Sequence, residues 1–570
     1  MAHPLNGADG TEMRCNDGDS TTVLVVGAGP TGLLLAVELQ RRGISCHLIE
    51  ARPAPMHWDR ATIVHPRSLQ IFEAMGLADK FLEASCRQRV IKIHADGEAL
   101  GTLELAGCGS IYGFNLGISE EVTEAILTDS LYQHGGKVNR SSRLVGLTVE
   151  REEVVAEIEC HGSRYTMRAQ WVVGCDGVHS TTRAQCGIGM EGHDIVASWA
   201  VFDVTLKGWR ETYEATFAYL DTPAVILTAL PKQRWRVYLR PSSQESDLLA
   251  DAGDTLRTYA PFASFVDVEN PTRFGCHTKV ATRFRAGRVL LAGDAAHICS
   301  PAEGHGMNCG LQDAFNLGWK LALVCRGADP ILLDSYEMER RPAAELVAAS
   351  GDRAENNLTM TDPAERSSRN RVFREMFAED TARHHEILAE TELNVDYSGS
   401  PIVFEDGNEG IAAGYTIPDT ILVQRSGEPP CRLVELTQRL GHTLLLIAGP
   451  GASGSDLVEV EAALQRFTAD SRLFEATVAL ATESGLPAHV GQIGPIQIDP
   501  IQIGHMEAGL LGISDITLLA VRPDGYIGLR SDRDHLQALK RYQSLILEGR
   551  GETATITEAV TLPGVSGSYS

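Results

Sequence analysis

The sequence predicts an α/β protein that carries an inserted antiparallel sheet and a second, smaller α/β unit. Three observations support this architecture. Residues 22–50 have the pattern of a strand, a glycine-rich turn, a helix and a second strand. Residues 195–280 instead show short alternating strands separated by turn residues. Near residue 395 the composition shifts to loops rich in glycine, serine and proline, and two further apolar strands follow.

The first unit begins with Val23–Val26, an apolar run rich in β-branched residues that is typical of a buried parallel strand. Gly27, Gly29 and Gly32 follow in the spacing G-x-G-x-x-G and open the helix. A second strand ends at Glu50, about 20 residues further on. Such glycines allow a tight turn and a close approach to a pyrophosphate, while the acid accepts a hydrogen bond from a ribose. The stretch predicts a Rossmann-like dinucleotide site.

Two later strands also end in turns of small and acidic residues. The first strand runs into Asp176 and Gly177, and the second runs into Gly293 and Asp294. A loop of small residues then leads to a long helix predicted over Cys309–Cys325. The start of that helix can hold an anion or a polarised carbonyl. Residues 143–160 alternate around a charged turn and predict a hairpin.

Composition narrows the class of protein. The chain has 570 residues, 43% of them hydrophobic and 22% charged, with a net charge of −25. This charge argues against nucleic acid or an anionic membrane as a partner, and no apolar run reaches the ~18 residues of a membrane span. The polar residues 1–20 predict a flexible tail rather than a secretory signal. The 12 cysteines form no C-x-x-C, which favours reduced thiols in the cytoplasm and no metal site.

The order and spacing of the three turns resemble the single-component, class A flavoprotein monooxygenases, which are aromatic hydroxylases with the p-hydroxybenzoate hydroxylase fold. The resemblance covers roughly residues 20–360, and its most specific part is GDAAH followed by GHGMN and QDAFNLGWKL. The later segment RPDGYIGLRS resembles the C-terminal thioredoxin-like domain of phenol hydroxylase and its relatives. Without a C-x-x-C, that domain is expected to be structural rather than redox-active.

The resemblance implies a division into domains. An FAD-binding domain is expected over residues 21–190 and 281–360, interrupted by an antiparallel-sheet substrate domain over residues 191–280. A helical connection over 361–395 then leads to the thioredoxin-like domain, residues 396–570. Whether the chain is a monomer or a homodimer is left open.

The resemblance also implies the site residues. Pro301 matches a proline near the reactive flavin edge, and Arg234 is loosely matched to an arginine near the flavin ring, so these two are the catalytic candidates. The residues expected to bind FAD are Gly27, Gly29, Gly32, Glu50, Arg60, Glu120, Asp176, Gly177, Asp294, Pro301, Gly304, Gly306, Met307 and Asn308.

Several positions depart from the family's pattern. The usual Gly-Gly-Gln-Gly is here Glu303-Gly304-His305-Gly306, and Glu120 stands where the family often has a glutamine. Thr62 stands where phenol hydroxylase has an active-site aspartate. The family's substrate base therefore does not transfer to this sequence.

The function implied is hydroxylation of a small phenolic substrate with O2, FAD and either NADPH or NADH, through a flavin C4a-hydroperoxide. A Baeyer–Villiger or epoxidising oxygenase on the same scaffold is an alternative, and a flavin-binding scaffold or carrier is another. The predicted strand Ala224–Leu230 has Thr228 as its only polar residue. Because a carboxylate buried against that strand would be unpaired, we expect a phenol without a carboxylate.

Overall fold

A computed structural model describes residues 20–56, 61–407, 410–425, 427–452, 454–469, 471–482 and 501–549. The first part contains β1 (Ser20–Val26), α1 (Pro30–Arg41), β2 (Cys46–Ile49), β3 (Ile63–Val64), α2 (Pro66–Ala74), α3 (Ala78–Ala84) and β4 (Cys86–Gln88). It continues with β5 (Val90–Ala95), β6 (Glu98–Glu104), β7 (Asn115–Gly117), α4 (Glu120–Gln133), β8 (Val138–Asn139), β9 (Ser142–Val149), β10 (Val154–Cys160), β11 (Ser163–Gly174) and α5 (Thr181–Gln185).

The middle part is mostly strand and then mostly helix. Its strands and one helix are β12 (Met190–Lys207), β13 (Ala215–Tyr219), β14 (Ala224–Leu230), β15 (Arg234–Arg240), α6 (Leu248–Tyr259), β16 (Ser264–Ala281), β17 (Arg285–Ala286), β18 (Val289–Leu291) and β19 (His297–Ile298). The helices that follow are α7 (His305–Cys325), α8 (Asp334–Thr359), α9 (Pro363–Ala378) and α10 (Asp380–Glu390).

The last part alternates strands and helices. It contains β20 (Phe404–Asp406), β21 (Leu422–Gln424), β22 (Cys431–Arg432), β23 (His442–Ala448), α11 (Gly454–Thr468) and β24 (Phe474–Ala481). It then has β25 (Ile501–Ile503), α12 (His505–Leu510), β26 (Ile516–Val521), β27 (Ile527–Ser531) and α13 (His535–Glu548). Among the described helices we find none that could serve as a membrane-crossing segment.

The first sheet contains the glycine-rich turn. Its order is β17-β18-β11-β1-β2-β8, and β1 pairs in parallel with both β11 and β2. Val23, Leu24 and Val25 are fully buried, because helices and other strands cover both faces of such a sheet. Strands β9 and β10 pair antiparallel, which confirms the predicted hairpin.

The second sheet is antiparallel over most of its width and has the order β19-β16-β12-β15-β14-β13-β5-β6. All seven residues of β14 are buried. The sheet also takes β5 and β6, which precede residue 191, because β13 pairs in parallel with β5. The division into domains predicted from the sequence stays a prediction at these boundaries.

The third large sheet has β27-β26-β23-β24 at its centre. Strands β23 and β24 are parallel, whereas β26 runs antiparallel to both β23 and β27. Helix α11 connects β23 to β24, and α13 follows β27. This is the thioredoxin-like arrangement that the sequence predicted.

Candidate active site

The strands β1, β2 and β11 end at a cavity of about 920 Å³. Ligands of open α/β sheets bind at this position, beyond the carboxyl ends of the strands. Most of the predicted site residues line the cavity: Gly27, Gly29, Glu50, Glu120, Asp176, Gly177, Asp294, Pro301, Gly304, Gly306 and Met307.

The three glycines of the first turn have different surroundings. Gly27 has φ +101°, and a Cβ there would lie 2.3 Å from the carbonyl oxygen of Cys175. A Cβ on Gly32 would lie 2.0 Å from the carbonyl oxygen of Gly27. A Cβ on Gly29, in contrast, would have no heavy atom within 4 Å among the described residues. The first and third glycines are needed for the fold, whereas the second keeps the backbone open toward the cavity.

Glu50 orders the glycine turn from the end of β2. Its Oε2 accepts a hydrogen bond from the backbone N–H of Ala28 at 2.9 Å. Its Oε1 accepts from the backbone N–H and the Nε of Arg52, at 2.9 and 3.0 Å. Burial alone would raise the pKa of Glu50, but these N–H groups and the Arg52 charge hold the pKa below its usual value. The carboxylate is therefore ionised at neutral pH.

The Asp176-Gly177 turn also has a structural role. One oxygen of Asp176 accepts from the hydroxyl of Ser180 at 2.5 Å, and the other accepts from the backbone N–H and hydroxyl of Thr182 at 2.9 and 3.0 Å. These bonds hold the start of α5. Gly177, with φ +77°, lets the chain turn at the cavity wall.

Two buried charged residues, Asp313 of α7 and Arg340 of α8, position the turn that carries Asp294. The Asp313 carboxylate accepts from the backbone N–H of Gly293 at 3.0 Å and lies 2.6 Å from Nε2 of His297. Arg340 donates to its other oxygen at 2.8 Å. Asp294 itself is exposed at the cavity. These partners lie 16 to 27 residues from Asp313 along the chain, so no local pattern in the sequence indicated them.

A second cavity, of about 680 Å³, adjoins the first. Its walls are formed by Ile226 and Thr228 of β14, by Ile91 and Ile93 of β5, and by Phe373 of α9, among others. Three residues line both cavities, namely Tyr238, Pro301 and Gly304. A molecule in the second cavity therefore lies next to the part of the first cavity where Pro301 was predicted to meet the reactive flavin edge.

Three buried hydroxyl groups meet near this shared wall. The Thr62 hydroxyl lies 2.9 Å from the Tyr238 hydroxyl and 3.5 Å from that of Thr228. The sequence singled out Thr62 and Thr228 separately, but it did not identify Tyr238. Nothing local could have done so, because Tyr238 is one of several alternating residues of β15.

Among the described residues, three predicted site residues do not line either cavity. Gly32 and Asn308 are buried behind the first cavity, where Asn308 bonds the backbone of Ile63 and accepts from the N–H of His65. Arg234 lies at the far end of β15, and its guanidinium pairs with Glu269 at 2.9 Å. Arg60 is outside the described residues.

The first cavity fits FAD. None of the described side chains caps α1, and its first turn has no acidic residue, so its N–H groups are open to a phosphate beside Gly29. Its volume is at the upper end of the roughly 300–1,000 Å³ of ligand pockets, as a cofactor of this size requires.

Comparisons with known proteins agree with this geometry. The family described as "FAD binding domain" matches residues 20–350. Pentachlorophenol 4-monooxygenase of Sphingobium chlorophenolicum is 30% identical over 77% of this chain and 81% of its own length. The 6-methylpretetramide 4-monooxygenase of Streptomyces rimosus is 29% identical over 94% of this chain and 97% of its own.

Among solved structures, aklavinone-11 hydroxylase in complex with FAD and aklavinone has a TM-score of 0.72 with 24% identity. The match covers 94% of this chain and all of that chain. It confirms the predicted fold class: a Rossmann-like FAD-binding part, an antiparallel sheet and a C-terminal thioredoxin-like part.

Proposed function

Since the chain belongs to the FAD-dependent aromatic monooxygenases of class A, we propose that it hydroxylates a phenolic aromatic compound with O2 and with NADPH or NADH as reductant. The observation that carries the proposal is that a cofactor-sized cavity and a mostly apolar second cavity share the wall formed by Tyr238, Pro301 and Gly304. A ring in the second cavity is thus held beside the cofactor.

Bound FAD would supply the reduction of O2 and the transfer of one oxygen atom. The protein would hold it through the open turn at Gly29, the start of α1 and the exposed carboxylate of Asp294. The first turn of α7, at Gly306 and Met307, lines the same cavity and has no side-chain cap among the described residues. Its N–H groups would stabilise negative charge on the pyrimidine side of the flavin.

The second cavity favours a neutral ring. Strand β14 gives it an apolar wall in which Thr228 is the polar exception. The charged residues lie on other parts of the cavity, namely Glu303, Glu365, Glu386, Glu390, Arg353 and Arg369. A carboxylate held against β14 would lose its hydration, and the strand offers only the Thr228 hydroxyl in exchange. The hydroxyl groups of Tyr238 and Thr228, which line the cavity, would orient a phenolic hydroxyl near the shared wall, and the Thr62 hydroxyl lies 2.9 Å from that of Tyr238.

The test compares phenols with their carboxylated analogues in the FAD-loaded protein. We expect the phenol to stimulate NADPH or NADH oxidation and to yield a product one oxygen atom heavier with its ring intact. A ten-fold or greater preference for the carboxylated analogue, about 1.4 kcal/mol in the transition state, would contradict the proposed substrate class. A ring-expanded ester or an epoxide would contradict the proposed reaction.

A further inference from the structure

Glu303 lies in the loop between the two cavities, two residues after Pro301 and next to Gly304. Glu303 is one of the residues that line the second cavity. Its Oε2 is buried, yet among the described residues this atom has no hydrogen-bond partner. A buried carboxylate oxygen without a donor is costly. The position therefore suits a ligand that brings its own donor to the wall beside the cofactor.

A charged pair stands directly behind Glu303. Nε2 of His305 lies 3.7 Å from the Glu303 Oε2, and both belong to the turn where α7 begins. Nδ1 of His305 is 2.9 Å from Oε1 of Glu392, whose other oxygen accepts from Nε2 of Gln312 at 2.5 Å. Burial alone would lower the pKa of His305, but the hydrogen bond and charge of Glu392, with the charge of Glu303, raise it to about 10. His305 is thus an imidazolium at neutral pH.

We propose that Glu303 is the general base that receives the proton of the substrate hydroxyl, with His305 and Glu392 as the pair that positions it. This inference rests on the proposed function. In this step the substrate O–H bond breaks, an O–H bond forms on the Glu303 carboxylate, and the electron pair stays on the phenolate oxygen. His305 keeps its charge throughout, so that it attracts the Glu303 carboxylate before the step and the phenolate after it.

The other ionisable groups around Glu303 are less suited to this task. Burial, with the charges of Glu303 and Glu386 on the same wall, raises the pKa of Glu390 to about 8, so that Glu390 holds a proton at neutral pH. Burial lowers the pKa of His65 to about 4, and its neutral ring packs on His305 with centroids 4.8 Å apart. Burial and the charge of Glu303 raise the pKa of Glu386, which the Arg353 charge partly offsets.

The first test is the rate of the Glu303→Gln variant on two phenols that differ in acidity. The variant should lose about 100-fold in kcat on the weakly acidic p-cresol, a typical contribution of a general base. The loss should be ten-fold or less on p-nitrophenol at a pH where that phenol is already ionised, since no base is then needed. Glu303→Asp, which keeps a carboxylate, should recover part of the rate on p-cresol.

The second test needs no turnover. In the wild-type protein, the affinity for p-nitrophenol should fall about ten-fold as pH rises through the ionisation of the phenol, because phenolate and Glu303 repel each other. Glu303→Gln should remove this fall. His305→Gln should make the fall steeper, because the cation that attracts the phenolate is gone. If the two residues were merely structural, the two variants would not change the pH dependence of the affinity in opposite directions. FAD content verifies that each variant is folded, and exposed Glu459→Gln on α11 is the matched control.

Equal losses on both phenols, or wild-type kcat in Glu303→Gln, would overturn the assignment. So would an unchanged pH dependence of p-nitrophenol affinity in that variant. If the wild-type protein hydroxylated neither phenol, the proposed function would fail, and the binding test would still decide whether Glu303 receives the hydroxyl.

Discussion

Helix α4 brings two acidic residues to the first cavity that the sequence did not predict there, Glu121 and Glu124, beside the predicted Glu120. All three line the cavity near Glu50 and Arg52. Burial, together with the charge of Glu120, raises the pKa of Glu124 to about 7, although Arg52 partly offsets this. In the unfolded chain this carboxyl ionises near its usual pKa of about 4.3. The protein therefore loses free energy of unfolding as pH rises from that value through 7.

We expect Glu124→Gln to stabilise the FAD-loaded protein by about 1–2 kcal/mol at pH 8, because the charged form of the carboxyl is disfavoured in the folded state. At pH 4.5 the two proteins should be nearly equal, because Glu124 is then protonated in the folded state. Urea unfolding at both pH values measures the difference. Glu104→Gln, an exposed change on β6, is the control. A variant less stable than wild type at pH 8 would show that the charge of Glu124 is compensated.

Several residue roles could not be predicted because they depend on which groups the fold brings to each side chain. The sequence identified Asp176 as a site residue, but its carboxylate accepts hydrogen bonds from Ser180 and Thr182. An aspartate can hold the start of a helix or bind a ligand, and the sequence pattern does not distinguish the two roles. Arg234 was expected near the flavin ring, but it pairs with Glu269 on the neighbouring strand β16. Tyr238, on the same strand, reaches the cavities instead.

At the scale of elements, two glycines of the turn between β1 and α1 have different roles: Gly29 is expected to matter for FAD binding and Gly32 for folding. Gly29→Val should leave a folded protein without FAD, because the added side chain meets open space that the diphosphate needs. Gly32→Ala should lower the stability itself, since its Cβ would lie 2.0 Å from a backbone oxygen. Flavin absorbance and circular dichroism measure the two properties separately. A Gly29→Val protein that purifies yellow would contradict the role of this turn.

Helix and strand patterns predicted most elements, and the exceptions have identifiable causes. Helix α7 begins at His305, four residues before the predicted Cys309. Glycine disfavours helix in this stretch, but Asn308 anchors the first turn through the carbonyl of Ile63 and the N–H of His65. Strands β5 and β6 join the second sheet through pairing with β13, and residues so far apart in sequence leave no local signal of it.

At the scale of the whole molecule, the thioredoxin-like part lacks the chemistry that its fold often carries. Cys431 is the only cysteine after Cys325, so no dithiol can form within that part. Cys431→Ser should leave kcat and KM unchanged within two-fold, with or without a thiol reductant. Assays of hydroxylation under both conditions check this expectation. A folded variant with reduced turnover would mean that this thiol takes part in the reaction.

The thioredoxin-like part instead contributes a buried ion cluster to its contact with α7 and α8. Arg522, just after β26, donates to both oxygens of Glu339 at 2.7 and 2.8 Å and to Asp524 at 3.0 and 2.5 Å. Lys320 of α7 lies 2.6 Å from the same Glu339 carboxylate. Burial alone would raise the pKa of Glu339, but Arg522 and Lys320 hold it well below its usual value. This contribution to stability is present above about pH 4.3 and is lost as pH falls further.

We expect Arg522→Met to lower the free energy of unfolding by about 3–5 kcal/mol at pH 7, because it leaves two buried carboxylates without their main partner. Urea unfolding followed by both tryptophan fluorescence and FAD release is the measurement, since Trp319 also donates to Asp524 at 2.9 Å. Arg533→Met is the matched control: its guanidinium pairs with Asp406 at the surface, so the loss should stay below about 1 kcal/mol. Equal losses in the two variants would show that apolar contacts alone hold the thioredoxin-like part in place. A larger loss of free energy of unfolding for Arg522→Met, absent at acid pH, would instead show that the ion cluster holds the thioredoxin-like part in place. At acid pH the carboxyls are protonated, and a neutral carboxyl is not destabilised by the loss of the arginine charge.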